Sequence, residues 1–353
     1  MTLNWPMVER LGRRLLGQRP GHLRDLAQQT ITLAPAETAT VPPAIYPDDA
    51  LDKITGLSPW RSWPVETALI EAGQTTHAAT LAHVVEDVMI FGPFIYKGVT
   101  HYDPSYGDEK LWQSFEARRQ EIDSAALVSC FSGSRFFGPF LKDSLPLELL
   151  TDQDTHAIAM PTRAYSHEAG YRALFDLPAP PVVEHAHVRR LTFYDDFGQN
   201  AGRGARYETL HQRLRDHLKP RDADAPAGIY LKRGQTGEAR ILSNETELED
   251  LLRTRGFDIV EPASLTAEEI AQQTLDAPIV ISVEGSHISH VAYSMARTGT
   301  LLVLQPPDRF AMAFKEFTDR VGIQFSFFVG DASDGGFHID LDSFQQFLDR
   351  VMP

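Results

Sequence analysis

From residue 201 onward the apolar positions alternate between two periods. AGRGARYETLHQRLRDHL sets Leu210, Leu214 and Leu218 on one helical face, and APAG at 225–228 then breaks the chain. IYLKR at 229–233 reads as a strand. In the following helix, Asn244 is placed to cap, Glu247 stands three residues on, Leu248, Leu251 and Leu252 face inward, and Gly256 ends it. FDIVEP reads as a strand, Thr266 and Glu269 form a second capping box before EEIAQQTL, and PIVISV at 278–283 is a buried strand. EGSHISHVAYSMARTG then reads as a helix ending at Gly299, and TLLVLQPP as another strand. Continuous apolar strands alternating with helices predict a parallel sheet covered on both faces, an α/β topology of the nucleotide-binding kind. The tail gives FKEFTDRVG, FSFFVGD and a closing helix in DLDSFQQFLDRV.

The first half is less regular. Residues 80–103 read as two strands separated by a Gly92-Pro93 turn, SAALVSCF at 124–131 as a short buried strand, and 138–151 as a helix with Leu141, Leu145 and Leu149 at steps of four. HAIAMP at 156–161 and HVRRLTFY at 187–194 read as further strands, residues 108–121 as a charged helix or connector, and the Pro- and Thr-rich 34–64 as irregular. The expected organisation is a basic segment over 1–33, a Rossmann-like domain over 34–200, a nucleotide-binding domain over 201–340 and a closing helix over 341–353. At about 150 residues per domain, 353 residues agree with two domains.

Composition narrows the class. The net charge of −15 argues against a nucleic-acid partner, because phosphate repels such a surface. Cys130 is the single cysteine, so a disulfide framework is excluded and a reducing, cytoplasmic setting fits. No run approaches about 18 apolar residues. Residues 1–24 depart from the average: five Arg against Glu9 give +4, with Leu11, Leu15 and Leu16 at helical spacing. This reads either as a solvated terminal helix or as a peripheral contact with the inner membrane face.

The chemistry concentrates at two strand exits. In open α/β sheets ligands bind outside the carboxyl ends of the strands. Glu284-Gly285-Ser286-His287-Ile288-Ser289-His290 follows strand 278–283; Gly285 permits a close approach, Ser286 adds a hydroxyl, and a helix start would offer free amides to a phosphate. Two alternatives stay open there: a merely capped helix start, and a metal site of Glu284, His287 and His290. Lys232 and Arg233 end strand 229–233, and Arg240 follows a Gly-containing loop; guanidinium groups suit diphosphate oxygens, while a pair of solvated surface charges is the plainer reading. Tyr194-Asp195-Asp196, His185 with His187, and Gly202 with Gly204 carry weaker signals, and the chain has neither a phosphate-binding Gly-Lys-Ser/Thr loop nor a Gly-x-Ser-x-Gly elbow.

Residues 229–307 resemble glycosyltransferase family 61, which includes bacterial capsular-polysaccharide biosynthesis proteins. The resemblance rests on Arg233, Arg240, Asn244-Glu245, Gly256-Phe257, Gly285 and Pro306, with a thinner match at 136–150 through Asp143 and Leu145-Pro146. It implies a GT-B-like architecture, two Rossmann-like domains facing a cleft, and inverting transfer of a sugar from a nucleotide-diphosphate donor to a glycan or lipid-linked acceptor, without a cofactor or an obligatory metal. Arg233, Arg240, Lys232, Gly285, Ser286 and His287 would then hold the donor phosphates. Glu284, His290 and Asp143 are the candidates for acid–base work. Many members carry His-Gly-Ala where this chain has Glu284-Gly285-Ser286, an Asn where it has His290, and an upstream His where it has Gly138-Pro139. A pyruvyl transferase of the same architecture and a non-catalytic scaffold are the alternatives, and a homo-oligomer is compatible with the sequence.

Overall fold

The computed structural model describes residues 1–116, 118–151, 156–221, 225–234 and 240–352. The chain divides into two compact units. The first comprises 1–37, 78–168 and 176–206; the second comprises 38–77, 169–175 and 207–353.

The first unit is built on strands Thr80–Phe91 and His185–Asp195, paired antiparallel from Leu81↔Asp195 to Phe91↔His185. The turn at Gly92-Pro93 returns the chain into Phe94–Lys97 and then Thr100–Tyr102, both antiparallel, and Gln29–Ala34 pairs antiparallel along the same long strand. Only the far side is parallel, where Ala125–Leu127 joins His185–Asp195 and Ala157–Ile158 joins Ala125–Leu127. The sheet is therefore mixed, with an antiparallel centre, and not the parallel Rossmann-like sheet expected. At the hairpin the reason is connection length: a two-residue turn can only reverse the chain, whereas a parallel pair needs a crossover of a dozen or more residues. Val85, Val88, Ile90, Ile95, Leu191 and Phe193 form the core over this sheet.

The helix expected over 138–151 is helical but uneven. A turn at Phe137–Pro139 widens into a π-type stretch at Phe140–Ser144 before Leu145–Glu148. Pro146 has no N–H to offer the Lys142 carbonyl, and that carbonyl accepts instead from Arg203 Nη2 at 2.9 Å.

The second unit matches the sequence pattern closely. Its five strands run in the order Phe257–Val260, Gly228–Leu231, Ile279–Val283, Thr300–Gln305, Gln324–Val329, and every neighbouring pair is parallel. Alternate residues feed two cores. Ile229, Leu231, Val280, Leu301, Val303 and Phe327 pack on one face, and Tyr230, Ile279, Ile281, Leu302, Leu304 and Phe328 on the other. Helix Leu341–Val351 covers the second face through Phe344, Phe347, Leu348 and Val351, so it is integral to this unit and not a separate element. Residues 38–77 also belong here and not to the first unit: the Ile45 carbonyl accepts from Phe327 N at 2.9 Å, and the Gly56 carbonyl accepts from Phe310 N at 3.0 Å.

Two local expectations change. Thr266 and Glu269 form the expected capping box. Asn244 does not cap its helix, because its amide grips both backbone groups of Ile339, at 2.8 and 3.0 Å. The helix expected over 284–299 is only a 3₁₀ turn, Ser286–Val291, followed by irregular turns. Ser, His, Val and Tyr are indifferent helix formers, and tertiary partners take the carbonyls: His211 Nδ1 bonds Tyr293 O at 2.7 Å and Asp276 N bonds Ser294 O at 2.8 Å.

Candidate functional site

In sequence order the strands of the second unit are arranged 2-1-3-4-5. The order reverses between Gly228–Leu231 and Ile279–Val283, and in open α/β sheets that reversal opens a crevice at the carboxyl ends of the strands. Arg233 lies two residues past the first of these strands and Glu284 directly follows the second. Arg309 lies four residues past the adjacent strand, Thr300–Gln305, in a loop fastened by the Gln305 side chain, which donates to Ala311 O at 2.8 Å and accepts from Ala311 N at 3.3 Å.

The side chains converge on Glu284. Arg233 Nη1 donates to the Glu284 carbonyl at 2.9 Å, and Arg240 Nη1 approaches the same oxygen at 3.4 Å. Arg240 Nε lies 2.8 Å from Glu284 Oε2 in an ion pair whose N–H is not aimed along the line between them. Both side chains are nearly buried. Burial pushes the Glu284 carboxyl up from its ordinary value, against the opposing pull of Arg240, Arg233, Arg309 and Arg61. Gly285 is required by this packing, since a Cβ there would collide with the Arg233 guanidinium. The loop residues 235–239, between the two arginines, lie outside the described residues.

Arg61 and Arg309 are the members that the sequence pattern missed. Arg61 comes from the irregular segment 38–77, where Glu66, completely buried on helix Trp63–Ile70, binds Arg61 Nε with one oxygen and accepts from Met312 N at 2.7 Å with the other. Arg61 Nη2 is buried and has no hydrogen-bond partner among the described residues. The Arg309 signal was legible in principle, as a cation just past a Pro-Pro strand exit. Arg61 had no local signal.

The histidines separate. Ser282 Oγ donates to the Leu231 carbonyl at 2.7 Å and lies 2.7 Å from His287 Nε2. A hydroxyl has one proton to give, so His287 Nε2–H donates to Ser282 and Nδ1 carries the lone pair. Burial, with Arg233, His290 and Arg240 nearby, holds the imidazole well below its ordinary pKa and so neutral at pH 7. His287 is half-buried, and no described residue is hydrogen-bonded to its Nδ1. His290 is buried, its Nδ1 2.8 Å from the Tyr171 hydroxyl. Lys232 is drawn to helix Glu245–Thr254, 2.8 Å from Glu249, and that bond raises its pKa. Ser286 is half-buried at the first position of the 3₁₀ turn, which is too short to supply the helix dipole expected there.

Asp143 lies in the first unit within its own network. Ser132 Oγ donates to its Oδ2 at 3.1 Å and Arg203 Nη2 binds its Oδ1. Arg203 is 2% exposed and also binds the Asp196 carbonyl; Asp196 accepts twice from Arg206 Nη2, at 2.7 Å each, and once from Thr80 at 2.7 Å. Among the described residues, no three His, Cys, Asp or Glu side chains gather as a metal site.

The family model for glycosyltransferase 61 matches residues 77–303, more than half of the chain. The chain belongs to glycosyltransferase family 61. Arg233, Arg240 and the Glu284–His290 segment all fall inside the matched span. A sugar donor and a glycan acceptor are accordingly the substrates of its class. Comparison with curated proteins gives no significant match.

Proposed function

We propose that this family 61 glycosyltransferase moves a sugar, with inversion, from a nucleoside-diphosphate donor to an acceptor hydroxyl in surface-polysaccharide synthesis. In this reading the second, Rossmann-like unit binds the donor without an obligatory metal. The acceptor oxygen bonds to the anomeric carbon as the bond from that carbon to the phosphate oxygen breaks; the acceptor proton passes to a base, and the nucleoside diphosphate departs carrying the negative charge. The observation that carries the proposal is the group of four arginines around Glu284 at the strand reversal, one of them with an orphaned buried N–H. Guanidinium groups fixed in a partly dry site stabilise the departing diphosphate where its charge develops.

Glu284 then acts as the resident counter-ion of the arginines, since its carboxylate is already engaged with Arg240. His287 is the better base, being neutral, locked in one tautomer by Ser282, and left with a free lone pair on Nδ1. Lys232 and His290 are retained as supports, and Asp143, engaged by Ser132 and Arg203 in the first unit, is assigned no step of the transfer.

Calorimetry across a panel of nucleoside diphosphates tests the donor half. Binding of one diphosphate that is lost in Arg233→Ala supports the reading; a panel with no binder overturns it. For the base, His287→Gln is expected to lower kcat about 100-fold or more while leaving donor affinity within about threefold.

A further inference from the structure

The arginine site does not involve the N-terminal helix, and that helix is oriented the wrong way round for a water-soluble surface. Helix Trp5–Leu15 is capped by Asn4, whose Oδ1 accepts from Met7 N at 3.0 Å. At about 100° per residue, Val8, Leu11, Gly12, Trp5, Leu15 and Leu16 fall within an arc of about 140°. In an ordinary surface helix that arc would face the core. Here Leu15 is 89% exposed, Leu16 83% and Trp5 63%, with Leu11 also exposed.

The opposite side of the helix is the one held down. Arg10 is buried and grips both oxygens of Glu109, at 2.8 and 2.7 Å, while Met7 packs on Phe91, Phe94 and Tyr96. Strand pairing sets Trp112 opposite Leu3, and Asn4 N bonds the Leu111 carbonyl; Leu111 and Trp112 are exposed as well, so the apolar surface continues past the start of the helix. Arg13, Arg14 and Arg19 flank it, all exposed, in a 24-residue stretch of charge +4 within a chain of −15. Among the described residues no helix is long and apolar enough to cross a membrane.

We propose that this face docks on an anionic lipid bilayer, with the Leu/Trp arc at the acyl boundary and Arg13, Arg14 and Arg19 at the headgroups. Charge selects this occupant: a basic rim around an apolar stripe matches anionic lipid, and the concentration of arginine here, in an otherwise acidic protein, sets one face apart for it.

Flotation of the whole protein with phosphatidylcholine vesicles, with and without about one-third phosphatidylglycerol, tests the proposal. The wild type is expected to float with the anionic vesicles and much less with neutral ones. Leu11→Ser/Leu15→Ser/Leu16→Ser is expected to reduce flotation at least tenfold, and Arg13→Glu/Arg14→Glu to abolish the preference for anionic lipid. All five side chains are exposed, so unchanged thermal melting of both variants checks that the fold is kept. The proposal is overturned if the wild type stays in solution with anionic vesicles, or if the Leu variant floats equally well. It is also overturned if the wild type ignores vesicles and sediments as a dimer that the Leu variant dissociates, since the face would then meet a second copy. None of these outcomes depends on nucleotide binding, so failure here leaves the proposed reaction untouched.

Discussion

Each unit buries a cluster of carboxylates and arginines, and the two clusters differ in how completely their carboxylates are satisfied. In the first unit Asp196 accepts from Arg206 twice and from Thr80, and Arg203 ties it to Asp143 and to two backbone carbonyls. Each cluster keeps a buried guanidinium N–H without a hydrogen-bond partner among the described residues, Arg206 Nε in the first and Arg61 Nη2 in the second, but in the second the Glu284 carboxylate itself meets Arg240 off-axis and its Oε2 accepts no hydrogen bond among the described residues. A carboxylate whose oxygens are all hydrogen-bonded holds its arginines in register, whereas one only loosely engaged leaves its arginines capacity for an incoming anion.

The sharpest way to break this contrast is to remove one cation from each cluster. Arg203→Ala removes a buried cation and leaves Asp143 and the Asp196 and Lys142 carbonyls without their donor, and should cost about 3–5 kcal/mol in denaturant unfolding. If that loss is under about 1 kcal/mol, the first network is not structural. Arg233→Ala should leave unfolding within about 1 kcal/mol while weakening nucleoside-diphosphate binding about 10- to 100-fold, the loss expected for charge-assisted hydrogen bonds. Equal effects on stability from the two variants would erase the distinction.

Glu284→Gln sharpens it further. Removing the resident negative charge should leave diphosphate affinity unchanged or raise it severalfold by calorimetry, with part of the activity retained. An abolished activity with intact binding would return the base role to Glu284.

The smallest effect is in pH. The folded His287 has a lowered pKa, so below about 6.5 the unfolded chain binds a proton that the folded chain resists. Its contribution to stability is thus present above pH 6.5 and is lost as pH falls below it. His287→Gln should flatten the decline in melting temperature between pH 7 and 5.5; a decline as steep as in the wild type would show that His287 does not titrate in this way.

What could be read from the sequence follows the range of the forces involved. The second unit's strands were legible because both faces of each strand are buried, which writes an uninterrupted apolar run. Arg233 and Glu284 were legible because they sit immediately past those runs. The pairing of the first sheet is not legible because strand composition is the same whether the pair is parallel or antiparallel; the Gly92-Pro93 turn fixes only the return into Phe94–Lys97, and the pairing of Thr80–Phe91 with His185–Asp195 has no local signal. The 284–299 segment and the Asn244 cap failed for one reason: tertiary hydrogen bonds to Tyr293, Ser294 and Ile339 outcompete the local ones. Arg61 was invisible because its place depends on Glu66, whose partner Met312 is 246 residues away.

That last hydrogen bond also constrains biosynthesis. Ribosomes extend chains at about 5–20 residues per second, so Glu66 leaves the ribosome roughly 10–50 s before the amide that will cover it. Segment 38–77 waits unassembled through that interval while the long antiparallel strands of the other unit, encoded between, are free to pair. A slowed or stalled translation of the last fifty codons would therefore leave a nascent protein with one sheet formed and a carboxylate-bearing helix still seeking its cover, the kind of intermediate that chaperones are expected to hold.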